Sequence, residues 1–153
     1  MHLAQPFHHC LPAGLLMLAA CASIAQPPII EPIVPVTSTI ASCPAPTEAA
    51  LSQAEIAADE HVRTQHGTSC YLSGRCRLPN SYLYDRELVP RVVKYLGQDE
   101  RFKDTQVWVS VKRRLVTLIG CVHTAEQAAA MERSVLLVDD VMGVINELRV
   151  VAH

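Results

Sequence analysis

Two apolar runs that alternate with a period of two, separated by three basic residues, restrict this chain more than any other feature. Val107-Trp-Val-Ser-Val111 is followed by Lys112, Arg113 and Arg114, and then by Leu115-Val-Thr-Leu-Ile-Gly-Cys-Val122. In a strand, successive side chains point to opposite faces. Val107, Val109 and Val111 therefore share one face, and Trp108 and Ser110 the other. In the second run, Val116, Leu118, Gly120 and Val122 oppose Thr117, Ile119 and Cys121. The two runs predict an antiparallel hairpin with Lys112-Arg113-Arg114 at its tip.

The flanks predict what covers this hairpin. Asp85 is placed to cap a helix in which Leu88, Val92 and Leu96 fall on one face, and Gly97 closes it. Pro90 is awkward inside such a helix unless the helix starts late or bends. After the hairpin, Thr124 and Gln127 make a capping pair. The helix they start turns Ala128, Met131, Val135 and Val138 inward. Asp140 follows it, and Val144, Asn146, Leu148 and Val150 alternate along a last strand. The order is helix, strand, strand, helix, strand. It predicts an α+β fold: a small αββαβ two-layer sandwich with a three-stranded mixed sheet and both helices on one face.

Upstream, the chain divides by composition. An apolar run over 11–22 suits the hydrophobic core of a signal peptide, and is too short to span a bilayer, which takes roughly 20 residues. It ends in Leu18-Ala19-Ala20-Cys21, with small residues that fit a narrow protease subsite. The next stretch carries Pro27, Pro28, Pro32, Pro35, Pro44 and Pro46. It reads as an extended tether that can form neither a helix nor a central strand. Its Ile and Val content suggests that part of it lies along the domain. Residues 47–66 are rich in helix formers with a thin stripe of Leu51, Ala54, Ala58 and Val62. Thr47 is placed to cap this helix. Residues 68–84 read as a loop. The expected divisions are 1–20 signal peptide, 21–46 tether, 47–84 helical and Cys-containing extension, and 85–150 folded domain.

Leu18-Ala19-Ala20-Cys21 resembles the lipobox of bacterial lipoproteins, in which cleavage precedes the Cys and its thiol is lipidated. The competing reading is a buried apolar helix that happens to contain a Cys. Ala22 is not the Asp that retains such proteins in the enterobacterial inner membrane. The resemblance therefore implies an outer-membrane lipid anchor at Cys21, facing the periplasm.

Residues 85–150 resemble a BON domain, the module of bacterial osmotic-stress and envelope lipoproteins. The resemblance rests on Asp85 with Leu88, Val92 and Leu96; on Val107-x-Val109-x-Val111; on Val116-Thr117-Leu118-x-Gly120-x-Val122; and on Val138-x2-Val141-x2-Val144-x-Asn146-x-Leu148-x-Val150. At two places where the family usually carries Gly, this chain has Arg114 and Asp140, so a local change of turn geometry is expected there. The resemblance implies phospholipid as the partner, a role in envelope integrity or stress tolerance, no enzymatic activity and no cofactor. An alternative is a module that docks onto an envelope protein through its apolar sheet face around Trp108.

Charge and composition agree with that outline. A net charge of −2 argues against a nucleic-acid partner, and aromatic residues make up only 5% of the chain, too few for a base-stacking platform. No phosphate loop, catalytic triad or dinucleotide fingerprint occurs, and no small-molecule substrate is indicated. Cys43, Cys70, Cys76 and Cys121 remain after lipidation and are disulfide candidates in an oxidising compartment. Cys70 and Cys76 can pair locally. Cys121 falls on the sheet face away from the helices, beside Trp108, Ile119 and Ile145, which the 47–84 extension is expected to cover, with a disulfide to Cys121 as its fastening. His66, Cys70, Cys76, Cys121 and His123 offer metal-ligand chemistry, but their spacing matches no zinc pattern. Cys121 and His123 lack a third group to orient them as a catalytic pair. Lys112, Arg113 and Arg114 are the candidates for contact with anionic lipid headgroups; a solubilising turn is the plainer reading of the same residues.

Overall fold

The computed structural model describes residues 31–47, 52–65 and 68–151. Its elements, in chain order, are β1 (Val34–Ser38), α1 (Gln53–Gln65), α2 (Thr68–Leu72), a 3-10 turn at Ser81–Tyr84 and α3 (Asp85–Gly97). A second 3-10 turn, Glu100–Phe102, leads into β2 (Gln106–Lys112), β3 (Leu115–Val122), α4 (Ala125–Leu136) and β4 (Gly143–Val150).

The αββαβ order holds, but the sheet has four strands where three were expected. Their order is β1-β2-β3-β4, with β1 and β3 antiparallel to β2, and β4 parallel to β3. The extra strand comes from the Pro-rich tether. Pro35 is tolerated because β1 is an edge, where a missing N–H breaks no ladder in a sheet interior. Val34 and Val36 pack against the core. Thr37 ties the strand down: its hydroxyl meets Thr105 Oγ1 at 2.8 Å and accepts from Val107 N at 3.0 Å.

Both helices lie on one face of the sheet, α3 over β1 and β2 and α4 over β3 and β4. The periodic residues form the core between these layers. Leu88, Val92 and Leu96 from α3, Val107, Val109 and Val111 from β2, Val116, Leu118 and Val122 from β3, and Met131 and Val135 from α4 are all buried. Full burial of such side chains stabilises by about 1.5–3 kcal/mol each, which makes this layer the main source of stability. The Thr124 cap forms as expected, its hydroxyl accepting from Gln127 N at 3.0 Å. Gln127 Oε1 in turn accepts from His123 N. Pro90 sits inside α3, one turn past its start, where the proline ring can make no bond back to the preceding turn.

Four local expectations need correction. The first helix begins at Gln53, with Ser52 and Glu55 bonding reciprocally across its start, so Thr47 is not its cap. Its stripe stays outside the core: Ala54, Ala58 and Val62 are exposed, because alanines remove too little apolar area to hold a helix down. The 68–84 loop contains the short α2 and a 3-10 turn, whose cap is Asn80. Asp85 does not cap α3; its carboxylate is used elsewhere, as described below.

Cys121 pairs with Cys43, across 78 residues. Cys43 precedes the 47–84 extension, so the tether, and not the extension, is fastened to the open sheet face. A strand that already lies against β2 delivers Cys43 to that face with no further chain to order. Cys70 pairs locally with Cys76.

Candidate functional site

The β2–β3 turn is the most unusual piece of backbone in the domain. Arg113 has φ 53° and Arg114 has φ 68°, both left-handed without being glycine. Two successive left-handed residues make the mirror-image turn that matches the twist of a hairpin. Asp85 makes this turn tenable: its two carboxylate oxygens accept from Arg113 N at 2.8 Å and Arg114 N at 2.9 Å. These are charge-assisted bonds to amides that no ladder partner satisfies. The expected change of turn geometry at Arg114 therefore does not occur. Asp140, with φ 74°, also stands in the left-handed region.

Side chains connect these two strained positions. Arg114 Nε donates to the carbonyl of Asp140 at 2.7 Å, and the backbone N of Met142 donates to the carbonyl of Arg114 at 2.9 Å. Arg114 also lies over the Tyr84 ring, 4.6 Å from its centroid, with Arg77 at 5.2 Å from the same ring. Tyr84 is buried and its hydroxyl accepts from Leu78 N at 2.7 Å. The Asp140 carboxylate accepts from Arg77 at 3.2 Å and from Arg91 at 3.1 Å. Burial pushes this carboxyl upward, but the bonds from the two guanidinium groups outweigh it and hold Asp140 below the ordinary carboxylate range. Arg77 is raised in turn, first by its bond to Glu87 and then by Asp140.

A cleft of about 390 Å³ opens against this network. Its lining consists of the Cys70–Cys76 bridge, Leu78, Ser81, Tyr84, Arg113, Arg114, Leu115 and Met142. Arg114 Nη1 lies 3.3 Å from Cys76 Sγ. The walls are mostly apolar, Met142 is 65% exposed, and the positive charge comes from two arginines. Such a cleft is suited to an anionic group attached to an apolar body.

Of the three basic residues singled out at the tip, the structure brings Arg113 and Arg114 together in the cleft and sends Lys112 elsewhere. Lys112 faces the open side of the sheet and pairs with Asp59 at 2.8 Å and Glu31 at 3.6 Å. Burial alone would lower its pKa, yet these carboxylates raise it. Leu78, Tyr84, Leu115 and Met142 were not singled out from the sequence. Leu115 reads there only as the start of the second strand, and Leu78, Tyr84 and Met142 only as large apolar residues in segments without a period. On the open sheet face, Trp108 and Ile119 are partly covered, Cys121 is buried, and Ile145 is 46% exposed.

The disulfides occupy the sulfurs of Cys70, Cys76 and Cys121, so these residues present no thiolate to a metal or a substrate. His66 and the lipobox ending at Cys21 lie outside the described residues. Among the described residues, no helix is long and apolar enough to cross a membrane.

The family model of the BON domain matches residues 85–152. This stretch is a BON domain. The match takes in Asp85, the arginine hairpin, Asp140 and the whole αββαβ layer pair, and the chain carries one copy. BON domains are non-catalytic binding modules of envelope and osmotic-stress proteins and are associated with phospholipid. No curated protein matches the chain. Five of the nine lining residues come from outside the BON domain, since Cys70, Cys76, Leu78, Ser81 and Tyr84 precede residue 85.

Proposed function

We propose that this chain is a lipid-anchored envelope protein whose BON domain holds an anionic phospholipid headgroup in the cleft beside Arg113 and Arg114. The observation that carries this reading is the pairing of those two arginines with an apolar wall of the half-buried Leu78 and Leu115 and the exposed Met142. A guanidinium presents five N–H donors, and Arg114 uses only Nε and Nη1 within the described chain. Donors are left for phosphate oxygens, while the apolar wall accepts the first methylenes of an acyl chain. Basic residues near an anionic membrane surface contribute about 1 kcal/mol each. Cys21 is the proposed anchor, the Pro-rich segment before β1 the spacer, and the periplasmic face of the outer membrane the location.

Vesicle co-sedimentation of the chain without its first 21 residues tests the headgroup reading. Anionic vesicles should retain it more than neutral ones, and Arg113→Ala/Arg114→Ala should remove the difference. Equal retention by both vesicle types and both proteins sinks the proposal. Cys21→Ser tests the anchor separately: the variant should leave the membrane fraction, and retention there uncleaved refutes the lipobox. Docking of an envelope protein through the Trp108 face is the weaker reading, because the Cys43–Cys121 bridge and the Lys112–Asp59 pair already occupy part of that face.

A further inference from the structure

The two edges of the sheet are not equivalent. The β1 edge is short, contains Pro35, and is interrupted by a register shift between Pro35 and Thr37. Each of these is a device that keeps an edge from pairing with another chain. β4 has none of them. It runs for eight residues, Gly143–Val150, without a proline, and no described residue pairs with its outer side. Ile145 is 46% and Val150 56% exposed along it.

The hydrogen-bonding phase of β4 shows which groups face outward. Val151 N donates to Val122 O, so odd-numbered residues direct their backbone groups toward β3. Even-numbered residues direct theirs to the free edge. Leu148 N, in agreement, donates to the side-chain oxygen of Asn146 in its own strand, at 3.2 Å. Strand addition would replace that bond with a backbone carbonyl.

We propose that this chain pairs with a second copy of itself, antiparallel and edge to edge along β4, about a twofold axis at Leu148. The charges along the strand select both the occupant and the register. Centred on Leu148, the pairing sets Glu147 opposite the partner's Arg149 and Arg149 opposite the partner's Glu147. It also sets Ile145 opposite the partner's Val151, and Asn146 opposite the partner's Val150. Centring on Glu147 or on Arg149 would set like charges directly against each other, which opposes pairing. Glu147 and Arg149 are both exposed on the open face, so neither must leave a buried position to form these pairs. The result is a continuous eight-stranded sheet with an isologous interface, the commonest form of a two-chain assembly.

Sedimentation of the full chain and its charge variants tests this proposal. Wild type should sediment as two chains. Glu147→Arg and Arg149→Glu each turn both cross-strand pairs into like charges, and each should raise the dissociation constant by at least about tenfold. The double variant Glu147→Arg/Arg149→Glu restores two opposite-charge pairs and should dimerise again. An equimolar mixture of the two single variants should form a heterodimer, which excludes misfolding as the cause of their separation. Monomeric wild type overturns the proposal, as it would if another protein or another part of the chain occupied the β4 edge. Single variants that pair as tightly as wild type, or a mixture that stays monomeric, overturn the register.

Discussion

Removal of the Cys43–Cys121 bridge is the most quantitative test of how the tether and the BON domain are joined. The bridge closes a loop of 78 residues, whereas Cys70–Cys76 closes one of 6. The chain-entropy relation gives about 4.5 kcal/mol at 25 °C for the longer loop and about 2 kcal/mol for the shorter, with relaxation lowering both. Their difference depends only on the logarithm of the length ratio and is about 2.3 kcal/mol. Cys43→Ala/Cys121→Ala should therefore unfold at a clearly lower urea concentration than Cys70→Ala/Cys76→Ala. Its Tm should lie roughly 10–20 °C below that of Cys70→Ala/Cys76→Ala, at about 4–8 °C per kcal/mol for a small domain. Hydrogen exchange adds the spatial detail. The amide of Thr39, bonded to Thr105 O at 3.0 Å, should lose protection before the β2–β3 amides do. Equal midpoints for the two double variants would refute the entropic reasoning. Unchanged protection at Thr39 would show that β1 is held by its ladder and its threonine bonds alone.

Three further outcomes follow from the same geometry. Asp85→Ala leaves two part-buried amides of a left-handed turn without acceptors and should cost about 2–4 kcal/mol in urea unfolding, with the hairpin-tip amides exchanging fastest. Gly120→Ala should be among the most damaging single changes, because a Cβ there would stand 2.1 Å from the carbonyl of Gln106 at a φ of 139°, and a Tm near that of wild type would contradict the β2–β3 contact. Asp140 is held below its ordinary value of 3.8, so its contribution is present above about that pH and is lost as pH falls through the lower folded value. Acid titration followed by circular dichroism should show this loss in wild type and not in Asp140→Asn, and parallel curves would remove the Arg77 and Arg91 linkage.

Most of the layer pair was legible from residue spacing. Leu88, Val92 and Leu96 at spacings of four, and Val107, Val109 and Val111 at spacings of two, are buried where their periods place them. Arg113 and Arg114 were legible as a basic hairpin tip. Their separation from Lys112 was not, because it depends on Asp59 and Glu31, which approach from segments 53 or more residues away. The apolar wall of the cleft was hidden for a similar reason: Leu78 and Met142 belong to segments with no period.

By itself, the sequence determined what adjacent residues decide together: the helix faces, the alternation of β2, β3 and β4 and the Thr124 cap; it allowed a local Cys70–Cys76 pair without selecting it. Tertiary structure alone decided which distant pieces meet. It recruited Val34–Ser38 from a proline-rich segment as an edge strand. It gave Cys121 to Cys43, and turned Asp85 from a helix cap into the acceptor for the arginine turn. Periodicity records which face of an element is buried, since each residue's exposure repeats with the local geometry. It carries no record of which element comes to lie against that face, because that choice is made by the total burial and hydrogen bonding of the assembled layers.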